Sequence, residues 1–244
     1  MRKLIFCSLF IIYFLKYFPQ KARVLEVTKS KSPYRYLLYE PEGYNRDSTY
    51  LWPLFIFLHG RSLSGTDLKL VRKYGLINEV DRGKSFPAII IAPQVKSGEA
   101  WNPDKVIACL NDVIITHKVD TNRISITGMS LGGYGTLHTA GKYPDKFCAA
   151  AAFCGGGKLS DASNLTCLPL WIAHGVLDKA VPYSESENLV KKIREFSDRN
   201  LIFTTFNKYG HGELAWLFMK KELYDFLLKN IKGKDGYFPD YSGN

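Results

Sequence analysis

The chain has 244 residues, of which 46% are hydrophobic and 23% charged, and carries a formal charge of +10. That is enough chain for one α/β domain with a well-buried core and short for two, and the composition argues against disorder. The basic excess forms no arginine-rich stripe and no interleaved aromatic platform, so nucleic acid is not an expected partner.

The N-terminus opens with the basic Met1-Arg2-Lys3, and residues 4–15 are then apolar apart from Ser8. An apolar run of about 12 residues is too short to span a bilayer comfortably and reads as a secretory signal. The expected organisation is a signal over residues 1–22 followed by a single domain over 23–244, in a secreted or periplasmic protein with no stable membrane insertion after cleavage. The alternative is an uncleaved anchor, because no Ala-x-Ala-like site follows. Losing residues 1–22 removes Arg2, Lys3, Lys16 and Lys21 and no acid, which takes the charge from +10 to +6. Cys109, Cys148, Cys154 and Cys167 then remain. Their spacing fits no zinc pattern, so no metal is expected; a Cys154–Cys167 bridge and buried free thiols stay equally open.

Beyond the signal, residues 24–27 and 34–39 read as two strands, the second alternating its faces as an antiparallel edge strand does. Residues 54–58, 88–92, 124–127, 147–153, 170–173 and 201–206 are almost wholly apolar, the pattern of parallel strands covered on both faces. Helical spacing fills the gaps over 105–116, 131–142, 184–196 and 213–228. Alternating strands and helices predict a doubly covered, mostly parallel sheet with right-handed crossovers: two antiparallel strands, then six parallel ones. Only about 16 residues separate the strand ending near Phe153 from the one starting at Leu170. They leave no room for a lid domain, so the site should open to solvent.

The chemistry centres on Gly128-Met129-Ser130-Leu131-Gly132, a Gly-x-Ser-x-Gly pattern between a β-branched strand and a helix. Few backbone shapes demand glycine on both flanks of a serine. A nucleophile elbow does, because the strand reverses sharply at a strained serine. Such a serine needs a base, and the base needs an orienting acid. With the acid and the base expected after later strands, in that order, His59 comes too early, His117 ends a helix, His138 lies within one, and His174 precedes the acid. His211, in Tyr209-Gly210-His211-Gly212, remains. Asp178 follows the strand over 170–173, whereas Asp161 precedes it, Asp198 falls near the next helix, and Glu185 and Glu187 sit in a helical first turn. The backbone N–H of Leu131 and that of Arg61, with Ser62 as its adjacent alternative, are the expected oxyanion donors. No cofactor is called for.

The segments Phe57-Leu58-His59-Gly60, Gly128-Met129-Ser130-Leu131-Gly132-Gly133, His174-Gly175 with Asp178 and Val181-Pro182, and Gly210-His211 resemble the α/β-hydrolase superfamily. More narrowly, they resemble its secreted branch of feruloyl and acetylxylan esterases and polyhydroxybutyrate depolymerase-like proteins. The resemblance covers roughly residues 34–228. It implies an eight-stranded α/β-hydrolase fold with helices on both faces, and catalytic Ser130, Asp178 and His211. It also implies a serine esterase acting on small-molecule or polysaccharide-linked esters, sugar- or phenolic-linked among them, and puts Trp101 near the pocket. Trp216, five residues after His211, is a second candidate pocket wall. Arg61 departs from the small residues expected beside the oxyanion hole and points to an acidic or sugar-linked acyl group. A prolyl-oligopeptidase-like peptidase and an acyltransferase are the alternatives on the same fold.

Overall fold

A computed structural model describes residues 20–45 and 49–239. The expected signal over 1–22 therefore falls almost wholly outside the described residues. Among these, no helix is long and apolar enough to cross a membrane.

Eight strands form one sheet: β1 (Arg23–Val27), β2 (Arg35–Glu40), β3 (Trp52–Leu58), β4 (Ile89–Gln94), β5 (Val119–Met129), β6 (Ala149–Phe153), β7 (Leu170–Gly175) and β8 (Leu201–Phe206). Their spatial order is β1-β2-β4-β3-β5-β6-β7-β8. β1 and β2 join antiparallel and β2 lies antiparallel to β4, while β3 to β8 run parallel. The two-plus-six arrangement is the one the hydropathy pattern predicts.

Both faces are covered, so successive side chains of one strand enter opposite cores. Leu54, Ile56 and Leu58 join one apolar cluster and Phe55 and Phe57 the other. The first cluster lies under α2 (Pro103–Thr116), α3 (Leu131–Lys142) and α5 (Tyr183–Arg194); the second lies under α1 (Leu76–Asp81) and α6 (Lys221–Lys229). Asn102 starts α2 by accepting from the N–H groups of Asp104 and Lys105, with Pro103 behind it, a favoured helix start. Between β6 and β7 stand only a 3-10 turn over Leu159–Asp161 and the four-residue α4 (Ala162–Leu165). No lid enters there.

The single helix expected over 213–228 is two pieces. A 3-10 segment covers Gly212–Met219, Lys220 is extended, and α6 follows. Leu214 and Leu217, three residues apart, stand in line on a threefold helix and remain same-face neighbours on a 3.6-residue one. Among the described residues the cysteines are free thiols: Cys109, Cys148 and Cys154 are buried and Cys167 is exposed. The Cys154–Cys167 bridge is therefore not formed.

Candidate active site

The parallel strands deliver Ser130, Asp178, His211 and Arg61 to their carboxyl ends, where open α/β sheets bind ligands. Ser130 follows β5, Asp178 follows β7, His211 follows β8 and Arg61 follows β3.

Ser130 has φ 60° and ψ −123°, a conformation costly for a residue with a Cβ. The surrounding backbone holds it there. Its N–H donates to Phe153 O at 2.9 Å and its carbonyl accepts from Tyr134 N–H at 3.0 Å. The flanking glycines are obligatory: a methyl on Gly132 would stand 1.8 Å from Leu58 O, and one on Gly128 would stand 2.4 Å from Gly132 O. This closeness seats the elbow against the end of β3 and the loop that follows it. Leu131 begins α3, so its N–H has no acceptor within the helix.

Asp178 is buried in the β7–α5 loop. Oδ1 accepts the N–H groups of Ala180 and Val181, each at 2.8 Å. Oδ2 lies 2.6 Å from His211 Nδ1 and 3.3 Å from His174 Nε2. Burial alone would raise the carboxyl's pKa, but the Val181 N–H, His211 and the Ala180 N–H outweigh it and hold Asp178 below the usual carboxylate value. With Nδ1 facing Asp178, the Nε2 of His211 is left for the cavity. Among the described residues no hydrogen bond joins Ser130 to His211; such contacts often tighten only when substrate binds.

Behind the acid, His174 is fully buried, with Nδ1 2.7 Å from Ser186 Oγ and Nε2 3.0 Å from Val181 O. Ser186 donates in turn to Gly155 O at 2.6 Å. The network ties the acid loop to α5 and β6. Burial pushes the His174 pKa down despite the Val181 carbonyl and Asp178. Cys154 lies beside it, and its sulfur, a His174 nitrogen and an Asp178 oxygen fall within 4.8 Å of one another. That donor set suits a metal poorly. Burial and the Asp178 charge raise the Cys154 thiol pKa, and both Asp178 oxygens already accept hydrogen bonds.

On the opposite side, the loop after β3 is clamped one peptide at a time. Val95 N–H donates to His59 Nε2 at 3.2 Å, so the ring proton is on Nδ1 and donates to Gly60 O at 2.7 Å. Burial lowers the His59 pKa to about 4, only partly countered by the Gly60 carbonyl, which keeps the ring neutral. Trp101 Nε1–H donates to His59 O at 3.0 Å, and Gly60 N–H donates to Tyr74 Oη at 2.5 Å. In a trans peptide the C=O and N–H point oppositely. Fixing Gly60 C=O on His59 therefore turns the Arg61 N–H away from that ring. Arg61 opens a 3-10 turn, so this N–H too has no partner within its own turn.

A cavity of about 670 Å³ joins these parts, bordered by Arg61, Tyr74, Ser130, Leu131, Tyr134 and His211, among others. The phospholipase/carboxylesterase family model matches residues 94–231 of this chain. The chain belongs to that family. A stretch of 80 residues, 32% of the chain, is 31% identical to a bifunctional acetylxylan esterase/xylanase of Neocallimastix patriciarum, of which it spans 12%. Among solved structures, a thermostable esterase superposes with TM-score 0.70 at 27% identity, over 86% of this chain and 63% of that one. A ferulic acid esterase superposes with TM-score 0.65 at 15% identity, over 87% and 98%. The chain thus spans less than two thirds of the first two of these relatives.

Two site expectations need correction in this family member. Trp101 does not line the cavity: it is buried beneath α3, where a methyl on Gly135 would stand 2.7 Å from its ring, and it acts on His59 O. Trp216 does not line it either. The 3-10 segment presents Ala215 to the cavity and turns Trp216 back onto Phe206 and Tyr209, at ring-centre distances of 5.8 and 6.2 Å. Sequence reasoning missed Tyr74 and the supporting parts played by His59 and His174. The signals available were Tyr74 standing before a glycine, and two histidines each ending an apolar strand before a glycine.

Proposed function

We propose that this protein is a serine esterase that hydrolyses carboxylic esters through Ser130, His211 and Asp178. One observation carries the reading: the 2.6 Å contact of His211 with Asp178, made at the cavity that the strained Ser130 borders. In this reading Ser130 Oγ attacks the ester carbonyl as His211 Nε2 takes its proton. Asp178 holds the imidazole in the required tautomer and stabilises the imidazolium, without accepting the proton. The oxyanion is held by the N–H groups of Leu131 and Arg61. Collapse of the tetrahedral intermediate expels the alcohol, protonated by His211. Water, activated by the same imidazole, then frees the acid and restores Ser130.

Small-molecule and polysaccharide-linked esters, sugar- or phenolic-linked, are the proposed substrates. The acetylxylan and ferulic acid esterase relatives support this, as does a cavity with no lid domain between β6 and β7. Turnover of p-nitrophenyl acetate and methyl ferulate by the wild type, lost in Ser130→Ala, is the expected result. Full activity in Ser130→Ala would sink the assignment. Peptide nitroanilides cleaved faster than aryl esters would move the reading to a peptidase, and acyl transfer to added alcohols in preference to water would move it to an acyltransferase.

A further inference from the structure

Two phenols border the cavity, and they differ in what their protons do. The Tyr134 hydroxyl donates to the Glu185 carboxylate at 3.0 Å, so its proton is engaged. The Tyr74 hydroxyl accepts from Gly60 N–H at 2.5 Å, and among the described residues it donates to no acceptor. It is also close to the reacting centre. A methyl on Gly60 would stand 2.7 Å from Tyr74 Oη and 3.3 Å from Ser130 Cβ, so phenol and nucleophile flank the same glycine. The ring is fixed, meeting Phe57 edge-on at 5.9 Å and Phe218 at 6.2 Å. Gly75 holds the chain this close: its φ is +85° and a methyl there would stand 2.0 Å from the Phe57 ring.

We infer that Tyr74 is a catalytic residue whose O–H donates to the substrate oxygen that becomes negatively charged, joining the backbone donors of Arg61 and Leu131. A donor already fixed in place and partly removed from water costs little reorganisation when charge develops, which makes such dipoles effective. The Gly60 N–H assists by polarising the phenol it donates to. Tyr74 keeps its proton throughout. Burial pushes its pKa up to about 12, so it stays a neutral donor at neutral pH. The inference rests on Ser130 being the nucleophile of the proposed esterase.

The test must separate donating to substrate from accepting from Gly60. Tyr74→Phe removes both roles, whereas monofluorotyrosine at position 74 moves them in opposite directions. An acidified phenol is a better donor and a poorer acceptor, and from a pKa of about 12 it remains neutral in the assay. The expected results are a kcat in Tyr74→Phe lower by roughly 10- to 100-fold with KM within about twofold, and a kcat in the fluorotyrosine protein at or above wild type. A kcat in Tyr74→Phe within about twofold of wild type overturns the proposal, and so does a fluorotyrosine protein slowed in the same sense as Phe. If Tyr74→Phe does not fold, the fluorotyrosine comparison decides alone. The second-order rate of labelling by a fluorophosphonate, whose phosphonyl oxygen enters the same hole, reads the same effect without an ester. Labelling that follows Tyr74 in a protein inert to every ester would retain the donor and overturn the esterase reading instead.

Discussion

The loop after β3 and the loop after β8 each carry a residue proposed to act on the same substrate, and they differ in what their contacts fix. The first has its carbonyls on Trp101 and His59 and its Gly60 N–H on Tyr74. The second is tied at Tyr209 O to the Leu177 N–H and at the Gly210 N–H to Glu213, and presents His211 with its side chain 23% exposed and its ring held to Asp178. A group that only stabilises charge gains by being immobile, because no reorganisation is then needed in the transition state. A group that carries a proton from nucleophile to leaving group must face both from one held orientation. One loop aims a backbone N–H at the substrate, the other a ring nitrogen.

The sharpest way to break this contrast is to remove the chemistry itself. Ser130→Ala should lower kcat by roughly 10⁴- to 10⁶-fold while leaving the folded structure intact; steady-state kinetics and circular dichroism check it. Asp178→Asn should cost about 10⁴-fold, because the amide no longer selects the His211 tautomer, and KM should change little. Methyl groups then test the two loops directly. Gly60→Ala places a Cβ 2.7 Å from Tyr74 Oη and 3.3 Å from Met129 O, whereas a Cβ at Gly212 meets nothing within 4 Å. We expect Gly60→Ala to lower kcat by roughly 10- to 100-fold, from one displaced donor, and Gly212→Ala to stay within about twofold. Equal losses in both would show that the space at each glycine does not decide the outcome.

The smallest effect is on stability. His59 falls from the ordinary value of 6.5 to about 4 in the folded protein, so between those values the unfolded chain binds a proton that the folded one refuses. Stability is therefore full above pH 6.5 and falls as pH drops toward 4, by on the order of 3 kcal/mol from this residue. Urea titrations across that window should show the slope, and His59→Gln should flatten it. An unchanged slope in the variant would remove His59 as its source.

The local patterns were legible in the sequence. Apolar runs located the strands, and the glycines around Ser130 located the elbow, since period and backbone shape are written in neighbouring residues. The order serine, acid, base then separated His211 from four other histidines. What could not be read depends on which distant segments meet. Trp101 looks like a pocket aromatic until Gly135 of α3 is found against its ring, and Tyr74 has no role until Gly60 is found donating to it. The 3-10 segment misled for a different reason: its apolar residues suit either helical period, and the tighter one found packs Phe218 on Phe57 and Phe153.

Two of the three buried thiols, Cys148 and Cys154, place chemical clocks at the ends of one short strand. Cys148 precedes β6 at the edge away from the site, with its sulfur 3.2 Å from Ser125 Oγ, and Cys154 follows β6 directly beneath the acid. Neither is open to an alkylating reagent while the protein is closed, so each reacts only as often as its own end of the sheet breathes. Their relative rates would report whether the end that does the chemistry loosens more readily than the end that only holds the fold together.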